Sequence, residues 1–291
     1  MENVFRCRYY ILYILITAIW GFSFILVNFL VHNIPVFLLI FIRFCLGIFF
    51  IISYKLVSKV PKITTMEIKY GTVIGIFLFC AFALQTYGAS FTQPSKNGLL
   101  TGLYVIFVPV ISSVYSRKNI AKSIFDSVVC IIGLSVLFNI LSVEVWLNIG
   151  DVLSISCALF FAFHFILLEK FSAKCNIWNL TLVQLCVVAV LSLFISIFLE
   201  TDKYNNINIT LRVLCCLVFL GMVSTGFSYI AQTLVQSKLA VTTVSLLSCM
   251  ESVFSVIFSI IIGYEKLTYN IAIGASIIVL SMVNSIIIRK K

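Results

Sequence analysis

Six stretches of twenty or more residues carry no charge at all: 9–31, 70–95, 97–116, 175–199, 213–237 and 267–288. An α-helix needs about 20 mainly apolar residues to cross hydrocarbon, and it must satisfy its own backbone there because lipid offers no hydrogen-bond partner. Four further stretches qualify once a single charge is admitted: 35–54 with Arg43, 124–143, 149–168, and 240–262 with Glu251. Composition agrees, since 62% hydrophobic and 10% charged residues lie outside the range of soluble domains. The chain therefore reads as an all-α integral membrane protein with ten transmembrane helices. Ten helices in 291 residues leave short connections and no soluble domain.

Lys and Arg in the connections set the orientation. With the N-terminus in the cytoplasm, the inner segments hold Arg6, Arg8, Lys55, Lys59, Lys62, Lys69, Arg117, Lys118, Lys122, Lys170, Lys174, Lys238, Arg289, Lys290 and Lys291. The outer segments hold only Lys96, Lys203, Arg212 and Lys266. Both termini are thus expected in the cytoplasm, in a bacterial-type inner membrane. The formal charge of +10 reads as topology and attraction to anionic headgroups, and no nucleic-acid partner is expected. The apolar run after Arg8 is too long for a signal peptide and lacks a small-residue cleavage site. Ten scattered cysteines contain no C-x-x-C pair and read as small packing residues rather than disulfides or metal ligands.

Two short internal matches relate the halves. SFIL (23–26) aligns with HFIL (164–167), and ALQT (83–86) with IAQT (230–233) at an offset of 147 that carries Leu99-Leu100 onto Leu246-Leu247. Both matches fall in the first and third helices of successive five-helix units, 1–143 and 144–291. Five is odd, so the second unit enters the membrane from the opposite side, which makes an inverted repeat.

On the same segments the chain resembles the drug/metabolite transporter superfamily, EamA type. AIWGFSFILVNFL (18–30) resembles the first-helix signature with its Trp-Gly core, and IPVFLLIFIRF (34–44) the second, with Arg43 at the arginine position. SKNGLLTGLYVIFVPV (95–110) is similar to the fourth helix, and SLLSCMESVFSVIFSIIIGYEKLT (245–268) to the ninth with its trailing Gly-x-Glu. The resemblance implies ten helices as two inverted five-helix repeats and carriage of small organic metabolites. Ser252 follows Glu251 where the family pattern has proline, so the resemblance leaves a kink there open.

The residues themselves suggest where solute and protons are handled. Glu251 is costly at a helix centre, roughly 2.5–3.5 kcal/mol on insertion scales, and must face protein or water. Ser248, Ser252, Ser255 and Ser259 share its face at three- and four-residue spacing, as a wet stripe or as close-packing small residues. Helix 4 offers Asn97, Thr101 and Tyr104, and Tyr104 falls on Glu251 in the 147 register. Gln85 and Gln232 match in the same register, and buried amides demand partners. His164 could relay protons to Glu251 or be a satisfied core histidine. Trp20 with Gly21 reads as an aromatic wall beside a close crossing, and Arg43 as one half of a gating or structural ion pair. Gly71 and Gly75 in helix 3, and Gly98 and Gly102 in helix 4, read as packing glycines. Asp126, Asp151, Glu169 and Glu265 are placed at helix ends.

An intramembrane enzyme would need a nucleophile with its base, a metal cluster or a phosphate-handling motif. The sequence has no G-x-S-x-G or H-E-x-x-H and only two histidines, His32 and His164. Neither filter loops nor rings of charge point to a channel. The expectation is an inner-membrane secondary transporter of small organic metabolites, working by alternating access in the export direction, with proton coupling at Glu251. The alternative is an intramembrane enzyme or a structural membrane protein without transport activity. No cofactor is expected. The partners are a small-molecule substrate, the bilayer and protons, and association as a homodimer stays open.

Overall fold

The computed structural model describes residues 2–91, 94–116, 121–137, 148–207, 209–263 and 266–288. The expected unit boundary at 143/144, Glu265, Arg117, Lys118 and Arg289 to Lys291 lie outside them. The described residues form helices and no strand: α1 (Glu2–Val31), α2 (Val36–Val57), α3 (Thr65–Gly88), α4 (Pro94–Thr101), α5 (Tyr104–Ser116), α6 (Ala121–Leu137) and α7 (Ile149–Ser172). They continue with α8 (Ile177–Leu199), a 3-10 turn, α9 (Leu211–Val218), a π-helical segment (Phe219–Phe227), α10 (Ser228–Gln236), α11 (Val241–Ser248), α12 (Met250–Ile262) and α13 (Tyr269–Ile288).

Seven rods among them are long and apolar enough to cross a membrane: Cys7–Val31, Val36–Val57, Thr65–Gly88, Ile149–Ser172, Ile177–Leu199, Leu211–Gln236 and Val241–Ile262. Tyr104–Val114, Ile124–Leu137 and Tyr269–Asn284 are shorter apolar helices. The uninterrupted helix expected over 97–116 is broken between α4 and α5. Leu103 N–H bonds back to Leu100 O, Val105 to Gly102 O and Ile106 to Leu103 O, so the helix tightens to three-residue spacing around Gly102. Cys249 and Ser252 do the same between α11 and α12, to Leu246 O and Cys249 O. The interruption that the missing proline left open is therefore present, made by a tightened turn.

Helix 3 begins earlier than its apolar run because Thr64 and Glu67 form a capping box: Glu67 N–H donates to Thr64 Oγ1 (3.3 Å) and Thr64 N–H to the Glu67 carboxylate (2.8 Å). Glu67 also accepts from Asn176 N–H (2.9 Å) and Asn179 Nδ2 (3.0 Å), clamping the start of α8. Glu200, just past α8, accepts from Phe37 and Leu38 N–H at the start of α2 (3.0 Å each) and from Ser196 Oγ (2.9 Å). A carboxylate at each end of the α2/α8 pair thus satisfies free N–H groups of a neighbouring helix where the dipole favours negative charge.

Small residues set the crossings. A Cβ on Gly71 would lie 2.7 Å from Val183 Cβ, and one on Gly75 2.7 Å from Val187 Cβ, so α3 lies against α8 through that pair as expected. Gly98 differs from its expected packing role, because a Cβ there meets nothing within 4 Å. All ten cysteines are free. Asp126 is not at a wet helix end: it is 1% exposed, between α6 and α13, where Ser281 Oγ donates to its carbonyl.

Glu200→Ala removes a cap from a helix other than its own, and is expected to lower stability by about 1–2 kcal/mol. Unfolding in mixed micelles checks this, and an unchanged midpoint would show that water replaces the carboxylate.

Candidate functional site

A cavity of about 850 Å³, counted to its open mouth, lies at the centre of the bundle. Val27, Asn28, Ala89 and Asn97 line it from the end of the bundle where α1 and α3 finish and α4 begins. Trp20, Arg43, Tyr104, His164, Gln232 and Glu251 line it too, from positions within α1, α2, α5, α7, α10 and α12.

Glu251 stands in the first turn of α12, directly after the tightened turn at Cys249. Gly21 makes room for it: a Cβ at that position would lie 2.7 Å from the Glu251 carbonyl oxygen and 2.7 Å from Phe254 Cβ. The crossing of α1 and α12 therefore depends on the absence of a side chain at Gly21, next to the cavity-lining Trp20. Among the described residues no hydrogen bond is formed to the Glu251 carboxylate, which faces the cavity.

Arg43 is the cation of the same cavity, and its bonds go to hydroxyls. Nε donates to Thr225 Oγ1 (2.7 Å) and Nη2 to Ser224 Oγ (3.0 Å), while the guanidinium lies 4.9 Å from the centre of the Phe82 ring. Trp20 Nε1 donates to Ser224 O (3.0 Å). All these partners except Phe82 belong to the π-helical segment, whose wider turn is itself tied by Thr225 Oγ1 donating to Leu220 O five residues back. π segments are frequent at functional sites because they re-aim backbone and side chains. Here the segment holds both Arg43 and Trp20.

Aromatic rings close a belt around the cavity. Tyr229 meets Phe82 (6.2 Å between centroids), Phe82 meets Phe161 (5.8 Å), and Phe161 meets Tyr104 (6.4 Å). Tyr104 meets Phe165 (5.3 Å), Phe165 meets His164 (6.0 Å), and His164 returns to Tyr229 (6.2 Å). Such a belt can enclose the apolar part of a solute or face an organic cation.

Of the residues singled out in the sequence, Glu251, Gln85, Gln232, Tyr104, Trp20, His164, Asn97, Thr101 and Arg43 all line this cavity. Gln85, Asn97 and Thr101 also form a network that fastens α4: Asn97 Nδ2 donates to Gln85 O (3.1 Å), and Asn97 Oδ1 accepts from Ser154 Oγ on α7 (2.9 Å). Ser248 and Ser255 stand elsewhere. Ser248 shares a hydrogen bond with Tyr13 Oη (2.8 Å), and the Ser255 backbone lies against Gly21. Sequence reasoning placed Thr225 on one polar face with Gln232 and missed Tyr229, Phe82 and Ser224. Tyr229 could have been found, because the 147 register places it on Phe82, and both precede a matched glutamine by three residues.

That register extends across the cavity. At 147, Phe82, Gln85 and Tyr104 fall on Tyr229, Gln232 and Glu251, and the turn at Gly102 falls on the turn at Cys249. At 141, the spacing of SFIL and HFIL, Trp20, Ser23 and Phe24 fall on Phe161, His164 and Phe165. Every member of these side-chain pairs lines the one cavity.

Residues 8–140 and 148–287 each match the EamA-like transporter family. The chain belongs to that family. An uncharacterized transporter of Archaeoglobus fulgidus is 28% identical over 270 residues, covering 92% of this chain and 82% of the relative. The uncharacterized transporter YoaV of Bacillus subtilis is 24% identical over 272 residues, covering 90% and 91%. A crystal structure described only as that of a protein superposes with a TM-score of 0.74 at 17% identity, covering 92% of this chain and 96% of that one, which speaks for the fold alone. The protein is thus a multi-pass membrane transporter of the EamA-like family.

Ser224→Ala combined with Thr225→Val leaves Arg43 buried without its hydroxyl acceptors. Hydrogen bonds to charged groups contribute about 1.5–3 kcal/mol each, so the double variant should lose several kcal/mol in denaturant titration. The conservative Thr225→Ser should restore one bond and part of the loss; equal stability of all three forms would show that the hydroxyls do not hold the guanidinium.

Proposed function

We propose that this protein is a secondary transporter that carries a small organic metabolite by alternating access between two inverted five-helix halves. In this reading the membrane is crossed ten times, α4 with α5 and α11 with α12 each counting once. Both termini are cytoplasmic in a bacterial-type inner membrane, and the direction is export. The observation that carries the reading is the single cavity lined by register-matched residues of both halves. Inverted-repeat carriers place their sites at such an interface, beside interrupted helices, and here the interruptions at Gly102 and Cys249 precede Tyr104 and Glu251 by the same two residues. The belt of rings suits an apolar portion of the solute, and the amides of Gln85, Asn97 and Gln232 suit a polar one.

Proton coupling is assigned to Glu251, the acid of the cavity. The charged and titratable groups that line the cavity with it are Arg43, Tyr104, His164 and Tyr229. A carboxylate without a fixed partner in a cavity open to one face can exchange a proton or meet a cationic solute group there, and do the same toward the other face after turnover. The lining reaches Val27, Asn28 and Ala89 near the ends of α1 and α3, so we read this state as outward-open in the proposed topology.

Export driven by protons is exchange of one for the other, so uptake of pooled labelled metabolites into proteoliposomes, with and without an outward proton gradient (acidic lumen), tests the reading. Wild type should accumulate solute at least tenfold better with the gradient. Glu251→Gln should lose that drive yet keep exchange of internal for external solute. Gradient-indifferent uptake, unchanged in Glu251→Gln, would make Glu251 structural and the protein a facilitator; no uptake of any pool would sink the transport reading.

A further inference from the structure

His164, Gln184, Gln232 and Gln236 stand on α7, α8 and α10, and none is more than 1% exposed. Each keeps one polar atom without a partner: His164 Nδ1, Gln184 Nε2, Gln232 Oε1 and Gln236 Oε1. His164 and Gln232 touch the cavity. Gln184 and Gln236 lie beyond them, toward the face where α7 and α10 end and α8 begins. Buried polar atoms in native proteins are almost always satisfied, by protein or by ordered water. Four orphans on three neighbouring helices are therefore a feature to explain.

Hydrogen bonds from their other atoms hold His164, Gln184 and Gln236. His164 Nε2 donates to Gln184 Oε1 (3.0 Å), since a carbonyl oxygen can only accept, which leaves Nδ1 as an acceptor. Gln236 Nε2 donates to Phe165 O (3.4 Å). The open atoms are thus three acceptors, on His164, Gln232 and Gln236, and one donor, on Gln184. Water, with two donors and two lone pairs, can serve both kinds, and buried waters settle where two to four polar groups converge.

The repeat register gives this cluster a second meaning. The counterparts of His164 and Gln184 at 141 are Ser23 and Arg43, and those of Gln232 and Gln236 at 147 are Gln85 and Ala89. All four counterparts line the open cavity. The cluster is therefore the register image of wall that is open in the other half. Its closure is visible too: Glu169 Oε1 accepts from Val241 N–H (2.9 Å), tying the end of α7 to the start of α11. The counterpart of Glu169 at 141 is Asn28, which lines the cavity near the end of α1.

We propose that His164, Gln184, Gln232 and Gln236 enclose a second polar compartment, which holds water in this state and becomes the solute's passage to the cytoplasmic face when the carrier turns over. The inference rests on the transporter reading above and adds to it a site and its ligand class: water first, then the polar part of the solute with its hydration.

Thiol accessibility tests it in oriented vesicles of a full-length chain whose native cysteines are replaced. Ala89→Cys should react with a membrane-impermeant thiosulfonate applied to the outer face. Gln236→Cys should react only from the cytoplasmic face, at least tenfold faster than Val190→Cys on the exposed surface of α8. Reaction of Gln236→Cys from neither face, or from the outer face, overturns the proposal. Should the cysteine-replaced chain not fold, a high-resolution experimental structure of the native chain decides. Water within hydrogen-bond distance of Gln184 Nε2 and Gln236 Oε1 supports the compartment, and dry contacts with both atoms paired to protein overturn it. Intact wild-type uptake with an unreactive Gln236→Cys removes the compartment alone, whereas absent wild-type uptake removes the transporter reading beneath it.

Discussion

A carboxylate in the interior of a membrane bundle has to be given water or a partner, and much of this structure follows from how Glu251 is accommodated. Its place in the first turn of α12 lets the positive end of that helix dipole offset part of the charge. The tightened turn at Cys249 creates that helix end in the middle of a span, where an uninterrupted helix would have offered only side-on backbone. Gly21 lets α1 approach the same turn, and the approach brings Trp20 to the cavity. One ionisable group thus ties together a helix break, a close crossing and an aromatic wall.

The opposite charge is handled by different means. Arg43 is held by two hydroxyls and a ring face instead of a carboxylate, so the cavity keeps its acid and its base as separate groups. Neutral partners cost less to part from than a buried ion pair, in which removing one charge strands the other. A carrier that must rearrange around Arg43 benefits from such soft restraints. The π segment supplies them, and it sits against α2 where Gly47, Gly221 and Gly226 allow close approach. Away from the cavity, Glu67 and Glu200 brace α2, α3 and α8 at their ends.

Much of this was legible in the sequence because lipid imposes simple rules. Apolar length gave the helices, and a lone Glu251, a lone Arg43 and the matched Gln85 and Gln232 stood out as polar groups where polar groups are expensive. The serines around Glu251 were less legible: Ser248 at the end of α11 and Ser255 in α12 would share a face with Glu251 on a regular helix, but the turn at Cys249 and the crossing at Gly21 direct them to Tyr13 and to α1. Tyr229 and Phe82 were hidden among 27 phenylalanines and 12 tyrosines, whose abundance masks the few that face a cavity. The π segment had no local signature, since Gly221 and Gly226 are equally compatible with an ordinary packed helix. Asp126 looked like a helix-end group by position, and its burial depends on α13, far away in sequence.

The central claim is that one cavity is shared by two halves and opens at one face as it closes at the other. Electron–electron distance measurements on spin-labelled chain test this most directly, with one pair at His32 and Phe91 on the open face and another at Lys174 and Lys238 on the opposite face, all four exposed. The account predicts two distances for each pair, with the long population of one face rising as that of the other falls when solute or pH is varied. Two pairs that widen together, or a closed face that never opens while solute is carried, would contradict it.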